Sequence, residues 1–162
     1  MENSSFLGSQ AAKHFREIHF GGNWTCVNLR DTLAGLTWQQ ATKQVYACNT
    51  IATLTYHIHY FVVVALKVLQ GEPLVGNDKH SFDHPPIASQ DDWVNFVERT
   101  YADAEHFARL LETLPDSIFS EDFDDEKYGS YFRNIHGIIE HAHYHLGQMV
   151  IIKKMVLLEE LK

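Results

Sequence analysis

Residues 46–70 have the sequence YACNTIATLTYHIHYFVVVALKVLQ, and this stretch decides the fold class. Its three consecutive valines, 62–64, favour a β-strand, because β-branched side chains pack well on a pleated surface. The apolar residues around them recur every three or four positions, as on one face of a helix. They are Ile51, Leu54, Ile58, Phe61 or Val62, Ala65 and Leu69. The longer period outweighs the local propensity, so we expect one long helix from Tyr46 to Gln70.

Helical signals also occur on both sides of this segment. Apolar spacing and capping residues predict three further long helices, at about 4–19, 89–115 and 130–161. The first is capped by Ser4 or Ser5 and the second by Ser89. Two capping patterns, Asn28-x-x-Asp31 and Thr37-x-x-Gln40, predict two short helices between the first two long ones. The longer connections are 71–88, rich in Gly and Pro, and the acidic 115–128. With no hairpin, repeat or linker, residues 1–162 are predicted to form one all-α domain, an antiparallel helix bundle.

Charge and composition exclude several classes of partner. The net charge is −8 with histidine neutral, which disfavours both nucleic acid and anionic membrane surfaces. The longest apolar run, Tyr60 to Leu66, is much shorter than the roughly 20 residues that span a bilayer. The first ten residues do not have the pattern of a signal peptide. The two cysteines form no CxxC motif and are interpreted as reduced thiols. A cytoplasmic protein is therefore expected.

The unusual feature of the composition is its 11 histidines, three of which alternate in IIEHAHYHLGQ, residues 138–148. A helix turns about 100° per residue, so residues four apart share a face and residues two apart nearly oppose each other. His141 and His145 therefore form a pair suited to one metal ion, and His143 points elsewhere. Gln148 falls on the face of the pair and is a candidate outer partner of the ligands or of the pocket, and Gly137 leaves that face open.

A third ligand is expected from the long helix, where the candidates are His57 and His59. His57 lies beside the apolar stripe and can meet the pair, whereas His59 is rotated by about 200° toward solvent or another contact. The long helix contains no Asp or Glu, which disfavours a ferritin-like di-iron site. Three imidazoles with open coordination positions are typical of a catalytic metal site.

Several of these motifs resemble the DinB-like superfamily, which includes the YfiT-type proteins. The resemblance rests on NTIATLTYHIHYF (49–61) and HGIIEHAHYHLGQMVIIKK (136–154). It extends to GNWTCVNLRDTLAGLTWQQA (22–41) and LQGEPL (69–74), so it covers nearly the whole chain. His57 matches the helix-two ligand of the family, and His141 and His145 match its helix-four HxxxH. One departure is Leu146, which stands where many members have Arg.

The resemblance implies a four-helix bundle with up-up-down-down topology and one divalent metal ion, commonly nickel or zinc, on His57, His141 and His145. It also implies a homodimer and, for some members, thiol S-transferase activity with low-molecular-weight bacterial thiols. A metal held by three histidines would either present a thiolate to an electrophile or ionise a water for hydrolysis. The thiolate reaction depends less on a general base, and Glu140 lies about 100° from the ligand face. The alternatives are a hydrolase and a non-catalytic, stress-associated bundle that binds metal or a small molecule.

Overall fold

The computed structural model describes residues 5–161, and within them the chain forms six α-helices and no β-strand. The helices are α1 (Phe6–Phe20), α2 (Leu29–Leu33), α3 (Trp38–Thr42), α4 (Ile51–Leu69), α5 (Gln90–Thr113) and α6 (Tyr131–Glu159). Short 3-10 turns interrupt the two longer connections, at Asp78–His80, Asp116–Ser120 and Glu126–Tyr128. The predicted all-α class is confirmed, and the three valines lie inside α4.

Side-chain caps set where the helices begin. The hydroxyls of Ser5, Thr37 and Ser89 each accept a hydrogen bond from the backbone N–H three residues later, as the sequence predicts. Thr50 caps α4 in the same way, so this helix begins at Ile51 and not at the predicted Tyr46. Tyr46 has a φ of 50°, a left-handed conformation that a right-handed helix cannot contain. The predicted cap at Ser4 lies outside the described residues.

The four long helices pack side by side in a closed ring, in which α1 and α4 each contact both α5 and α6. Helices α1 and α5 are antiparallel, because Gly8 lies against Leu111 while the Phe20 ring lies 5.8 Å from the Tyr101 ring. A Cβ at Gly8 would lie 2.4 Å from the Leu111 carbonyl oxygen, so only glycine permits this close approach.

Helix α4 runs parallel to α5 and antiparallel to α6. Tyr56 lies near Phe96 and His59 contacts Asp103, so both sequences advance in the same direction. On the other side, His57 faces His145 and Phe61 faces His141, so the two sequences advance in opposite directions.

The long helices therefore follow an up-down-down-up order, and the predicted up-up-down-down order is wrong. Consecutive parallel helices need a connection that returns along their whole length, and a short connection can join only antiparallel ones. The 20-residue segment 70–89 makes that return between α4 and α5, where α4 alone is about 28 Å long. The sequence indicates a long loop here, but it does not indicate which pair of helices runs parallel.

Helix α4 supplies much of the interior. An 18-residue stretch of this 19-residue helix has a mean hydropathy of 1.4, so by length and composition alone the helix is able to cross a membrane. However, 61% of that stretch is buried inside the protein. A core helix of a soluble protein has the same properties, and the burial of α4 places one of the predicted ligands, His57, in the interior.

Candidate metal centre

Three imidazole rings converge between α4 and α6. The Nε2 atoms of His57 and His141 lie 2.9 Å apart. The ring centroids of His57, His141 and His145 are separated by 4.6, 4.7 and 4.5 Å, an almost equilateral triangle. One nitrogen from each ring can be chosen so that all three lie within 4.8 Å of one another. The structure thus brings together the three residues that the sequence singled out as a metal site.

Helix phase explains this convergence on the α6 side. His141 and His145 are one helical turn apart and project from the same face. His57 comes from the apolar face of α4, with Leu54 and Ile58 buried on either side of it in sequence. Packing of α4 against α6 buries this face and carries the His57 ring to the pair.

Burial favours the neutral form of His57 and His141. His57 and His145 are only 4% and 8% exposed, and His141 is half-buried. Burial and the neighbouring His145 lower the pKa of His57. The same two causes, with a smaller effect of His57, lower the pKa of His141 to about 4. A neutral imidazole has a free nitrogen lone pair, which is the form that binds a metal.

The hydrogen bonds of His57 define which of its nitrogens is free. The Ser81 hydroxyl donates to the Asp78 carbonyl oxygen at 2.6 Å. Having used its proton there, Ser81 Oγ accepts a hydrogen bond from His57 Nδ1–H at 2.8 Å. The Nε2 lone pair of His57 is therefore left facing the other two histidines.

His145 is oriented in the same way by Gln148. The ring donates its Nδ1–H to Gln148 Oε1 at 2.8 Å, which leaves Nε2 without a proton. The contact predicted for Gln148 as an outer partner is present. Bonds of this kind fix the tautomer and direction of metal-binding histidines in general.

Two contributors to the site were missed by sequence reasoning, Ser81 and Phe82 in the 71–88 loop. The Phe82 ring stacks on His57 with centroids 3.9 Å apart and planes 14° apart. Ser81 is fully buried although it lies in a connection rich in Gly, Pro and Asp. Loop residues follow no helical period, so their spacing in the sequence does not predict that they contact His57. The length of the loop was the only feature of the sequence that indicated a role for it.

The other two histidines of these motifs lie outside the cluster, as predicted. His59 is buried and donates its Nε2–H to Asp103 Oδ2 at 2.8 Å, so it turns to another contact and not to solvent. The ring of His143 faces α1, where its centroid lies 6.1 Å from that of His14.

One side of the cluster opens into a pocket of about 410 Å³. His141 forms its edge, and the apolar side chains of Phe61 and Ile138 line it. A Cβ built on Gly137 would meet nothing within 4 Å, so this face of α6 is open, as predicted. On the other side, Phe82 covers His57. A small molecule can therefore approach the histidines from the His141 side.

The set of donors suits a borderline transition metal. Imidazole nitrogens favour zinc, nickel, copper and iron over magnesium and calcium, which prefer oxygen ligands. The cluster of three residues contains no carboxylate. Three protein ligands would leave coordination positions for a substrate, as in catalytic zinc sites.

The chain matches no protein-family model, no curated protein and no solved structure. The resemblance to DinB-like proteins therefore rests on the motifs quoted above.

Proposed function

We propose that this chain is a DinB-like four-helix bundle that binds one divalent metal ion, nickel or zinc, and acts as a metal-dependent thiol S-transferase. The observation that carries the proposal is the convergence of His57, His141 and His145 beside an open pocket. The four long helices in a closed ring support the bundle assignment. The hydrogen bonds that His57 and His145 donate to Ser81 and Gln148 support metal binding, because they hold two of the rings in the tautomer that a metal requires.

A metal ion in this position would lower the pKa of a bound thiol and so supply a thiolate at neutral pH. The residues of the chain have three tasks in such a reaction. The histidines hold the ion without adding negative charge, Phe82 shields His57 from solvent, and the pocket beside His141 admits the substrate. In the transfer, the thiol sulfur forms a bond to an electrophilic carbon, the leaving group departs with its electron pair, and the thiol proton passes to solvent.

Metal analysis coupled to a thiol-transfer screen tests this proposal. The purified protein is assayed for bound metal and then loaded with nickel or zinc. Several low-molecular-weight bacterial thiols are offered together with 1-chloro-2,4-dinitrobenzene, and thioether formation is followed with and without a chelator. We expect one metal per chain and chelator-sensitive thioether formation with at least one thiol. Stoichiometric metal without any transfer would favour the non-catalytic alternative, a bundle that only binds metal or a small molecule.

A metal-dependent hydrolase is the second candidate, and one observation favours it. Glu140 is among the residues that line the same pocket as His141, and a carboxylate beside a metal site is a candidate general base for an attacking water. Hydrolysis of p-nitrophenyl acetate by the metal-loaded protein, lost in Glu140→Gln with metal retained, would support the hydrolase over the transferase.

We also propose that the protein is a homodimer that pairs through α6. Exposed apolar side chains recur at helical spacing along one face of α6, at Tyr144, Ile151, Met155 and Leu158. Light scattering at micromolar concentration should give twice the mass of the chain. Ile151→Glu should give a monomer, whereas Val94→Glu, on exposed α5 surface, should leave the dimer intact. A monomeric wild-type protein would contradict the proposal.

A further inference from the structure

The pocket beside the histidine cluster is lined in part by Arg133, whose guanidinium has no partner among the described residues, 5–161. Arg133, Gly137 and His141 are spaced four residues apart on α6 and so share one face. All three line the pocket of about 410 Å³. Arg133 is exposed, and it forms no ion pair with any residue in the range 5–161. An unpaired guanidinium at the edge of a pocket is suited to a carboxylate, which it can bind through two parallel hydrogen bonds.

The stem of Arg133 is held in place by the preceding loop. Gly129 has a φ of 76°, and a Cβ at this position would lie 2.8 Å from Arg133 Cδ. The absence of a side chain at Gly129 therefore makes room for the arginine stem to lie against the loop. This packing holds the base of the side chain at the pocket, although the side chain itself is exposed.

The rest of the pocket defines what else a ligand would contact. Phe61 and Ile138 provide an apolar wall, and Gly137 leaves the space between Arg133 and His141 open. Glu140 is the acidic residue among the lining residues. It would repel a ligand with several negative charges and attract an ammonium group. The lining thus favours a ligand with one carboxylate at the Arg133 end and an apolar or zwitterionic body.

We propose that Arg133 binds the carboxylate of a peptide-like thiol whose sulfur is directed to the histidine cluster; this inference rests on the proposed thiol transferase function. Arg133 and His141 are eight residues apart, so their Cα atoms are separated by about 12 Å along the helix. The Arg133 stem lies against Gly129, on the side of Arg133 away from His141, so a ligand that joins the guanidinium to the histidines must span a distance of this order. After a contact at each end, that distance leaves about two or more residues of extended chain at roughly 3.3–3.6 Å each. A peptide-like thiol fills this span, whereas free cysteine has its sulfur and carboxylate too close together.

A matched pair of thiols tests the role of Arg133 in binding. The full chain is loaded with cobalt(II), and thiolate binding is followed through the sulfur-to-cobalt charge-transfer absorption. The probes are glutathione and its glycine monoethyl ester, which keeps the thiol but lacks one carboxylate. We expect wild-type protein to bind the acid about three- to tenfold more tightly than the ester. Arg133→Gln should bind both as weakly as wild type binds the ester, and Arg109→Gln, an exposed arginine on α5, should behave as wild type.

A second measurement keeps the inference about Arg133 separate from thiol chemistry. S-methylglutathione and its ester have no free thiol, and their binding to the zinc-loaded protein is followed by NMR through the Nε–H signals of Arg133 and Arg109. We expect the acid, and not the ester, to shift the Arg133 signal selectively. If no charge-transfer band appears with either thiol but this shift is seen, the thiol function fails and the carboxylate site stands. Equal binding of acid and ester, with no selective shift, would overturn the carboxylate site.

Discussion

The Nε2 atoms of His57 and His141 lie 2.9 Å apart although the two residues are separated by 84 positions in the sequence. Two nitrogens that bind one zinc ion at about 2.0–2.1 Å each also lie a short distance from each other, so this spacing suits a shared metal ion. At this distance one ring donates a hydrogen bond to the other. Because His57 uses Nδ1–H for Ser81, the proton in this pair belongs to His141. A metal bound between the rings would take the place of that proton.

The first prediction concerns the ligands. His57→Ala, His141→Ala and His145→Ala should each lower metal affinity by more than the roughly 10–100-fold typical of losing an outer partner. The physical reason is that each removes one of three nitrogen donors. Affinity is measured by competition with a chromophoric chelator, and bound metal by mass spectrometry. His143→Ala, two residues away on another face, is the matched control and should retain metal. If it alone strips the metal, both the helical-phase argument and the family resemblance fail.

The second prediction concerns the groups that orient the rings. Ser81→Ala and Gln148→Ala each remove the acceptor of a histidine Nδ1–H. The rings would then be free to rotate or change tautomer, and we expect metal affinity to fall by about 10–100-fold. Ser120→Ala is a suitable control, because the Ser120 hydroxyl bonds only to a backbone carbonyl in a distant turn. Unchanged affinity in both site variants would show that neither bond orients a ligand.

The third prediction concerns acid stability and His19. This ring is fully buried, bonds to the Phe15 carbonyl, and has a pKa lowered by burial from 6.5 to about 4. At a pH between these two pKa values, His19 binds a proton in the unfolded chain but not in the folded protein. The stabilisation by the neutral ring is thus complete above pH 6.5 and declines as the pH falls toward 4, by up to about 1.4 kcal/mol per pH unit.

Urea unfolding of the metal-free protein at several pH values tests this expectation. His19→Leu should reduce the loss of unfolding free energy between pH 6.5 and 4.5, since it removes one buried titrating group. Gln10→Leu, at an exposed position on the same helix, removes no titrating group and should leave the pH dependence unchanged. If the unfolding free energy of His19→Leu changes with pH in parallel with that of the wild type, His19 does not contribute to the pH dependence.

The fourth prediction separates His59 from the metal site. Burial lowers the pKa of His59, and its neutral ring donates to Asp103. Asp103→Ala would leave this buried donor unpaired, and we expect a loss of about 1–3 kcal/mol of unfolding free energy with full metal content. Asp103→Asn keeps an acceptor and should cost less. Loss of metal in either variant, at a pH where the protein stays folded, would show that His59 and Asp103 are not separate from the metal site.

Local sequence determined much of this molecule. The hydroxyl caps at Ser5, Thr37 and Ser89 fixed three helix starts, because each cap bonds to a backbone group only three residues away. The pairing of His141 with His145, and the exclusion of His143, follow from helical phase alone. Such features need no knowledge of the rest of the chain.

The tertiary structure decided everything that depends on residues far apart in sequence. Helix order is one example, since a long connection is compatible with either direction of α4. The Ser81 hydroxyl and Phe82 ring are another, because a loop has no period that would aim them at His57. The contact of His57 with His141 is the third. Apolar spacing indicates which face of α4 is buried, but only packing against α6 determines which side chains that face meets.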